Sequence, residues 1–101
     1  MHRSYIGTFR YDPNNLWKKM SLTSREDVFS RLSDVQQRWL ENNAPDWKFW
    51  HDEFRRLHYH IYSETPISDS RLTMAGMIFY QEIPSHPPLG EEALWVDVFK
   101  S

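Results

Sequence analysis

Asp46-Trp47-Lys48-Phe49-Trp50-His51-Asp52-Glu53-Phe54-Arg55-Arg56-Leu57-His58-Tyr59-His60-Ile61-Tyr62-Ser63 is the stretch on which the fold turns, because it satisfies two periodicities at once. Trp47, Trp50, Phe54, Leu57 and Ile61 recur at spacings of three and four, the apolar stripe of a helix that Asp46 would cap. Leu57, Tyr59 and Ile61 also alternate with His58, His60 and Tyr62, the pattern of a strand. Composition divides the stretch. His-Tyr-His-Ile-Tyr is richer in strand formers than helix formers, so the reading is a helix from Asp46 to about Arg56 and a strand from Leu57 to about Ser63.

Upstream, Tyr5, Gly7, Phe9 and Tyr11 alternate with Ser4, Ile6, Thr8 and Arg10, which predicts a strand over 3–11. Asp12-Pro13-Asn14-Asn15 supplies a turn, since Pro presets φ and the Asn and Asp side chains bond nearby backbone. Thr23 and Glu26 have capping-box spacing, and Val28, Leu32, Val35 and Trp39 follow at helical intervals. One helix over 24–42 is expected, with Arg31, Asp34, Gln37, Arg38 and Glu41 on its wet side. Asn42-Asn43 and then Pro45 end it, because the residue before Pro is pushed out of the helical region.

Downstream, Glu64 to Ser70 is loop-like. Leu72, Met74, Gly76, Ile78 and Tyr80 alternate with Thr73, Ala75, Met77, Phe79 and Gln81, so a central strand is expected over 71–82, with a helix capped by Ser70 as its rival. A rigid Pro-containing connection, 85–90, precedes a last strand over 94–99. The order β-α-α-β-β-β gives an α+β single domain, 1–101, with helices on one face of a mainly antiparallel sheet.

No cysteine is present, which removes disulfides, thiol nucleophiles and thiolate metal sites from consideration. The longest apolar run, Met77-Ile78-Phe79-Tyr80, is far too short to span a bilayer, and Met1-His2-Arg3-Ser4-Tyr5 is unlike a secretory leader. A cytoplasmic or other intracellular location is expected, with no membrane association. The net charge of −2 argues against general phosphate-backbone binding. It is unevenly placed: residues 1–40 carry seven Lys/Arg against four Asp/Glu, a balance of +3, while residues 41–101 carry five against ten, a balance of −5.

His58 and His60 lie two apart, on one face of a strand, and with His51, Asp52 or Glu53 they are the metal-ligand candidates. The same histidines beside Arg55 and Arg56 are the minimum set for a metal-independent ribonuclease, with Tyr59 or Tyr62 assisting. The element order also resembles, in topology alone, the small ribosome-associated ribonuclease toxins, although those are typically strongly basic and this chain is not. The three glycines are too scattered for a phosphate-cradling loop, and no nucleophile elbow or glycosidase-like carboxylate pair occurs. No cofactor is implied.

Aromatic residues make up 16% of the chain, about twice an ordinary share. Trp47, Trp50 and Phe54 would share one helical face, leaving Phe49 on another, with Tyr59 or Tyr62 beyond it. Phe49, Trp50, Tyr59 and Tyr62 are therefore the candidate binding residues. The function read from the sequence is a non-catalytic protein-binding module, such as an inhibitor, adaptor or small assembly subunit, whose partner is another protein or a second copy. The alternatives are a His-dependent enzyme and a homodimeric module enclosing a small-molecule pocket.

Overall fold

Residues 58–63 form the middle of the sheet in the computed structural model, which describes residues 3–11, 22, 24–52 and 57–80. Six elements follow in the order β1 (Ser4–Arg10), α1 (Arg25–Arg31), α2 (Asp34–Asn43), β2 (Trp47–His51), β3 (His58–Ser63) and α3 (Asp69–Ile78). The three strands pair antiparallel in the order β1-β3-β2. The class is α+β, as expected. The order is β-α-α-β-β-α, and several elements differ from their sequence reading.

The first difference lies in residues 46–63. Residues 47–51 are a strand, not the start of a helix, and β2 runs back along β3 with Trp47 opposite Ser63 and His51 opposite Tyr59. The backbone N–H of Asp52 extends the pairing by donating to the His58 carbonyl at 3.0 Å. Aromatic side chains favour a pleated surface, and β3 offers β2 a complete row of cross-strand partners, which an isolated helix over the same residues would lack. Trp47 and Trp50 consequently fall on opposite faces of the sheet. The strand expected over 57–63 is observed as β3.

The helix expected over 24–42 is two helices. Leu32 turns to an extended conformation (φ −77°, ψ 156°) and Ser33 begins α2. Ser33 is a strong start signal: its hydroxyl accepts from the Gln36 N–H at 3.2 Å, and the Gln36 side-chain carbonyl accepts from the Ser33 N–H at 3.0 Å, a full capping box. The cap of α1 belongs to Ser24, which accepts from the Asp27 N–H at 3.1 Å; Thr23 lies outside the described residues. The break lets Val28, Leu32, Trp39 and Leu40 all reach the core while Val35, expected on the same stripe, is left 56% exposed.

Residues 69–78 form α3, not a strand. Ser68 occupies the capping position, and Thr73 donates back to the Asp69 carbonyl at 2.9 Å. Among the described residues the expected strand joins the sheet at Tyr80, in an antiparallel bridge in which the Thr8 N–H donates to the Tyr80 carbonyl at 2.6 Å. The turn at 12–15 and the strand at 94–99 lie outside the described residues.

β1 pairs with β3 from Ser4 opposite Ser63 to Arg10 opposite His58, and its register slips by one residue at Ile6, a β-bulge. On the inner face Ile6, Trp47, Tyr59 and Ile61 pack with Val28, Leu32, Trp39, Leu40, Ala75 and Phe79 in one core, flanked by the half-buried Phe9 and Phe49. Phe29 stacks on Trp47 at 6.1 Å, and Arg25 caps that ring from 4.5 Å. The Tyr59 hydroxyl, buried in this layer, accepts from the Leu22 N–H at 2.9 Å. Among the described residues no helix is long and apolar enough to cross a membrane.

Candidate functional site on the outer face of the sheet

Side chains of a strand alternate between faces, so the residues of β3 not used by the core, His58, His60 and Tyr62, point to the opposite side. Register brings them neighbours. Thr8 and Trp50 flank His60, Tyr5 and Lys48 flank Tyr62, and Arg10 lies opposite His58. Three strands thus build one polar and aromatic row.

Its centre is a chain of side-chain hydrogen bonds. Asp52 Oδ2 lies 2.9 Å from His60 Nε2, His60 Nδ1 lies 3.1 Å from Thr8 Oγ1, and the Thr8 and Tyr5 hydroxyls are bonded to each other. His60 is 0% and Thr8 2% exposed, although both face away from the apolar core. Buried polar groups are costly unless paired, and here each link supplies a partner. Rings pack round the imidazole, Trp50 at 5.0 Å and Tyr5 at 6.1 Å, and Trp50 also meets Tyr62 at 5.3 Å. Burial pushes the Tyr5 phenol up to about 12, against a smaller downward pull from its bond to Thr8.

Charge sits at one end of the row. Arg3 Nε and Lys48 Nζ lie 2.9 and 3.2 Å from the two oxygens of Glu64, and the Arg3 guanidinium also stands 5.3 Å over the Tyr62 ring. Burial acts to raise the Glu64 carboxyl, but the hydrogen bonds and charges of Arg3 and Lys48 together outweigh it and hold it below the ordinary carboxylate range.

The sequence candidates separate accordingly. His58 and His60 share a face, as their spacing implies, but His51 is on the inner face, stacked on Tyr59 at 4.6 Å. The three histidines do not converge, and among the described residues no three His, Cys, Asp or Glu side chains form a group suited to a metal. Glu53, Arg55 and Arg56 lie outside the described residues. Of the four candidate binding aromatics, Tyr59 and Tyr62 are buried and Phe49 and Trp50 half-buried; Phe49 leans on Tyr59 at 6.1 Å.

Sequence reasoning did not join Thr8 and Tyr5 to His60, because the link needs the β1–β3 register. Asp52 was named only as a metal ligand. A strand reading of 47–51 would have placed it beside His58 at the hairpin end. Exposed apolar residues lie elsewhere, at Met74 (58%), Met77 (79%) and Tyr80 (60%), with Val35 on α2. The Gln36 amide, next to Val35, donates to the Ile78 carbonyl at 2.8 Å and so holds that part of α2 against the end of α3.

The protein that emerges is an α+β domain with an apolar core on one side of a three-stranded sheet and a buried polar chain on the other. Comparison with protein-family models, curated proteins and solved structures finds no significant match.

Proposed function

We propose that the chain is a non-catalytic protein-binding module that associates with a second copy of itself through the exposed side of α3. The observation that supports this is the exposure of Met74 and Met77, three residues apart and therefore adjacent on the helix surface. After Arg71 the helix carries no charge, Gly76 lies between the two methionines, and Tyr80 and Val35 extend the apolar area at its end. Flexible methionines suit a contact surface, and a glycine allows close approach. An isologous contact sets a surface against itself. An uncharged patch meets its copy without like-charge opposition, whereas the outer side of α2, with Asp34, Arg38 and Glu41, is exposed and charged. The candidate aromatics Phe49 and Trp50 are half-buried and Tyr59 and Tyr62 buried, which leaves Met74 and Met77 the more exposed.

Sedimentation velocity over a wide concentration range tests the reading. The natural sequence should dimerise, and Met74→Lys/Met77→Lys should remain monomeric with an unchanged melting temperature. A natural chain that stays monomeric, or a double variant that dimerises equally well, overturns it.

The Asp52–His60 bond favours a second reading, a His60-dependent acid–base enzyme such as a metal-independent ribonuclease. It ranks lower because the imidazole is fully buried, and a general base has to come within hydrogen-bond reach of its substrate.

A further inference from the structure

We infer that Met74 and Met77 form an oxidation site: hydrogen peroxide converts their thioethers to sulfoxides and thereby separates two copies joined through α3, and reduction of the sulfoxides restores the contact. The inference rests on the self-association proposed above and names its regulation. The 101 residues contain no cysteine, so no thiol competes for a mild peroxide and the methionine thioethers are left as its targets. Two of the four methionines, Met74 and Met77, stand 58% and 79% exposed, three residues apart on α3. Both side chains are open to solvent in the separate chain.

The step balances with no protein group beyond the sulfur. A sulfur lone pair attacks one peroxide oxygen, the O–O bond breaks, that oxygen stays on sulfur as the sulfoxide, and the other leaves as water carrying both protons. Sulfur is oxidised by two electrons and the peroxide is reduced by two. In the return step the sulfoxide oxygen leaves as water while a dithiol is oxidised to a disulfide, the reaction of the methionine sulfoxide reductases, one for each epimer. The cycle leaves the chain as it began.

Oxidation turns an apolar side chain into a polar one with a strong acceptor, and the surroundings decide what that costs. Residues 73–78 read Thr-Met-Ala-Gly-Met-Ile, and their one side-chain donor, the Thr73 hydroxyl, is already given to the Asp69 carbonyl at 2.9 Å. Arg71 directs its Nε to the Ser68 hydroxyl at the start of the helix, at 3.2 Å, and Tyr80 brings one hydroxyl against two sulfoxide oxygens per copy. In the separate chain water satisfies both oxygens, whereas the contact offers fewer donors than the oxygens it covers. Burying a polar group without a partner is unfavourable, so the oxidised form favours separation. The fold is spared, because this segment reaches the core through Ala75 and Phe79 and not through its methionines. Association in turn covers the two side chains, so their oxidation slows as the chain concentration rises.

The test is sedimentation velocity of the full chain before and after mild hydrogen peroxide, with mass spectrometry locating the added oxygens. The untreated chain should dimerise. Oxidation at Met74 and Met77 should raise the dissociation constant about tenfold or more, with the melting temperature of the dilute protein unchanged. Reductases for both epimers, supplied with a dithiol, should restore the dimer. Met20→Leu should respond as the natural chain does, whereas Met74→Leu/Met77→Leu, apolar but without sulfur, should dimerise before and after peroxide. If the leucine double variant fails to fold or to associate, the natural chain and its enzymatic reversal decide. An untreated chain that is monomeric overturns the α3 reading and this inference with it. A dimer that survives oxidation of both methionines, a loss that the reductases do not reverse, or an equal loss in the leucine double variant overturns the inference and leaves the α3 reading standing.

Discussion

Tyr5 and Glu64 occupy the same face of the sheet, yet their ionisation is displaced in opposite senses. Tyr5 is raised to about 12 because burial penalises the phenolate. Its folded value thus exceeds the unfolded value of 10.0, so the folded state binds more protons between the two, and stability is complete below pH 10 and declines above it. Urea melts between pH 9 and 12 should show a loss on the order of 2 kcal/mol that is absent in Tyr5→Phe. Burial, the largest single influence on Glu64, acts to raise its carboxyl, but Arg3 and Lys48 together outweigh it and hold it below 4.5. Its contribution is present above the unfolded value and disappears as pH falls through the folded one. Partly exposed pairs of this kind contribute at most about 1 kcal/mol. At this scale the sequence was legible where strand alternation suffices: His58 and His60 do share a face. It was not legible for Thr8, which precedes His60 by 52 positions and meets it only through a register that includes a bulge.

Gln36 joins two elements with one side chain. Its carbonyl completes the capping box at the start of α2 and its amide holds the Ile78 carbonyl at the end of α3. Ser33→Ala should cost about 1 kcal/mol, the usual value of a cap. Gln36→Ala should cost more, roughly 1–3 kcal/mol, because it also strips the Ile78 carbonyl of its donor. Equal losses for the two variants in urea unfolding would show that the α2–α3 tie contributes nothing. The elements that sequence reading misplaced each have a local reason. Trp47, Trp50, Phe54, Leu57 and Ile61 carry a helical stripe, strand alternation is plain only from Leu57 onwards, and pairing with β3 is what selects a strand at 47–51. In α3, apolar residues occur on every side, so no period distinguishes a helix from a buried strand, and the cap expected at Ser70 lies two residues earlier, at Ser68. The helix break at Leu32 was hidden because Val28, Leu32, Val35 and Trp39 form an unbroken stripe on paper. By contrast β1 is legible from its alternation alone, and β3, whose periods conflict, from its strand-forming composition.

Across the described residues, stability rests on a core assembled from all six elements or their flanks. Ile61 lies at its centre, fully buried in the middle strand. Ile61→Ala should destabilise by about 2–5 kcal/mol through lost burial and the cavity left behind. Met77→Ala, on the outer side of α3, should stay within about 0.5 kcal/mol of the natural chain when the protein is dilute. The α+β class was accessible from sequence because it depends only on the presence of both kinds of element and on antiparallel pairing. The arrangement of layers was not, since it depends on which of two aromatic-rich segments turns strand.

The central position of β3 also has a consequence for biosynthesis. β2 and β3 can close on each other locally, but β1 has its long-range partner about fifty residues later in the chain. At about 5–20 residues per second, the nascent β1 waits roughly three to ten seconds for β3 to be made. During that interval Tyr5, Ile6 and Phe9 have no strand to pair with, and a segment meant for the sheet is open to a chaperone or to its neighbour on the same polysome. Slowing translation after β1 should lengthen that exposure, and speeding it through the β2–β3 hairpin should shorten it.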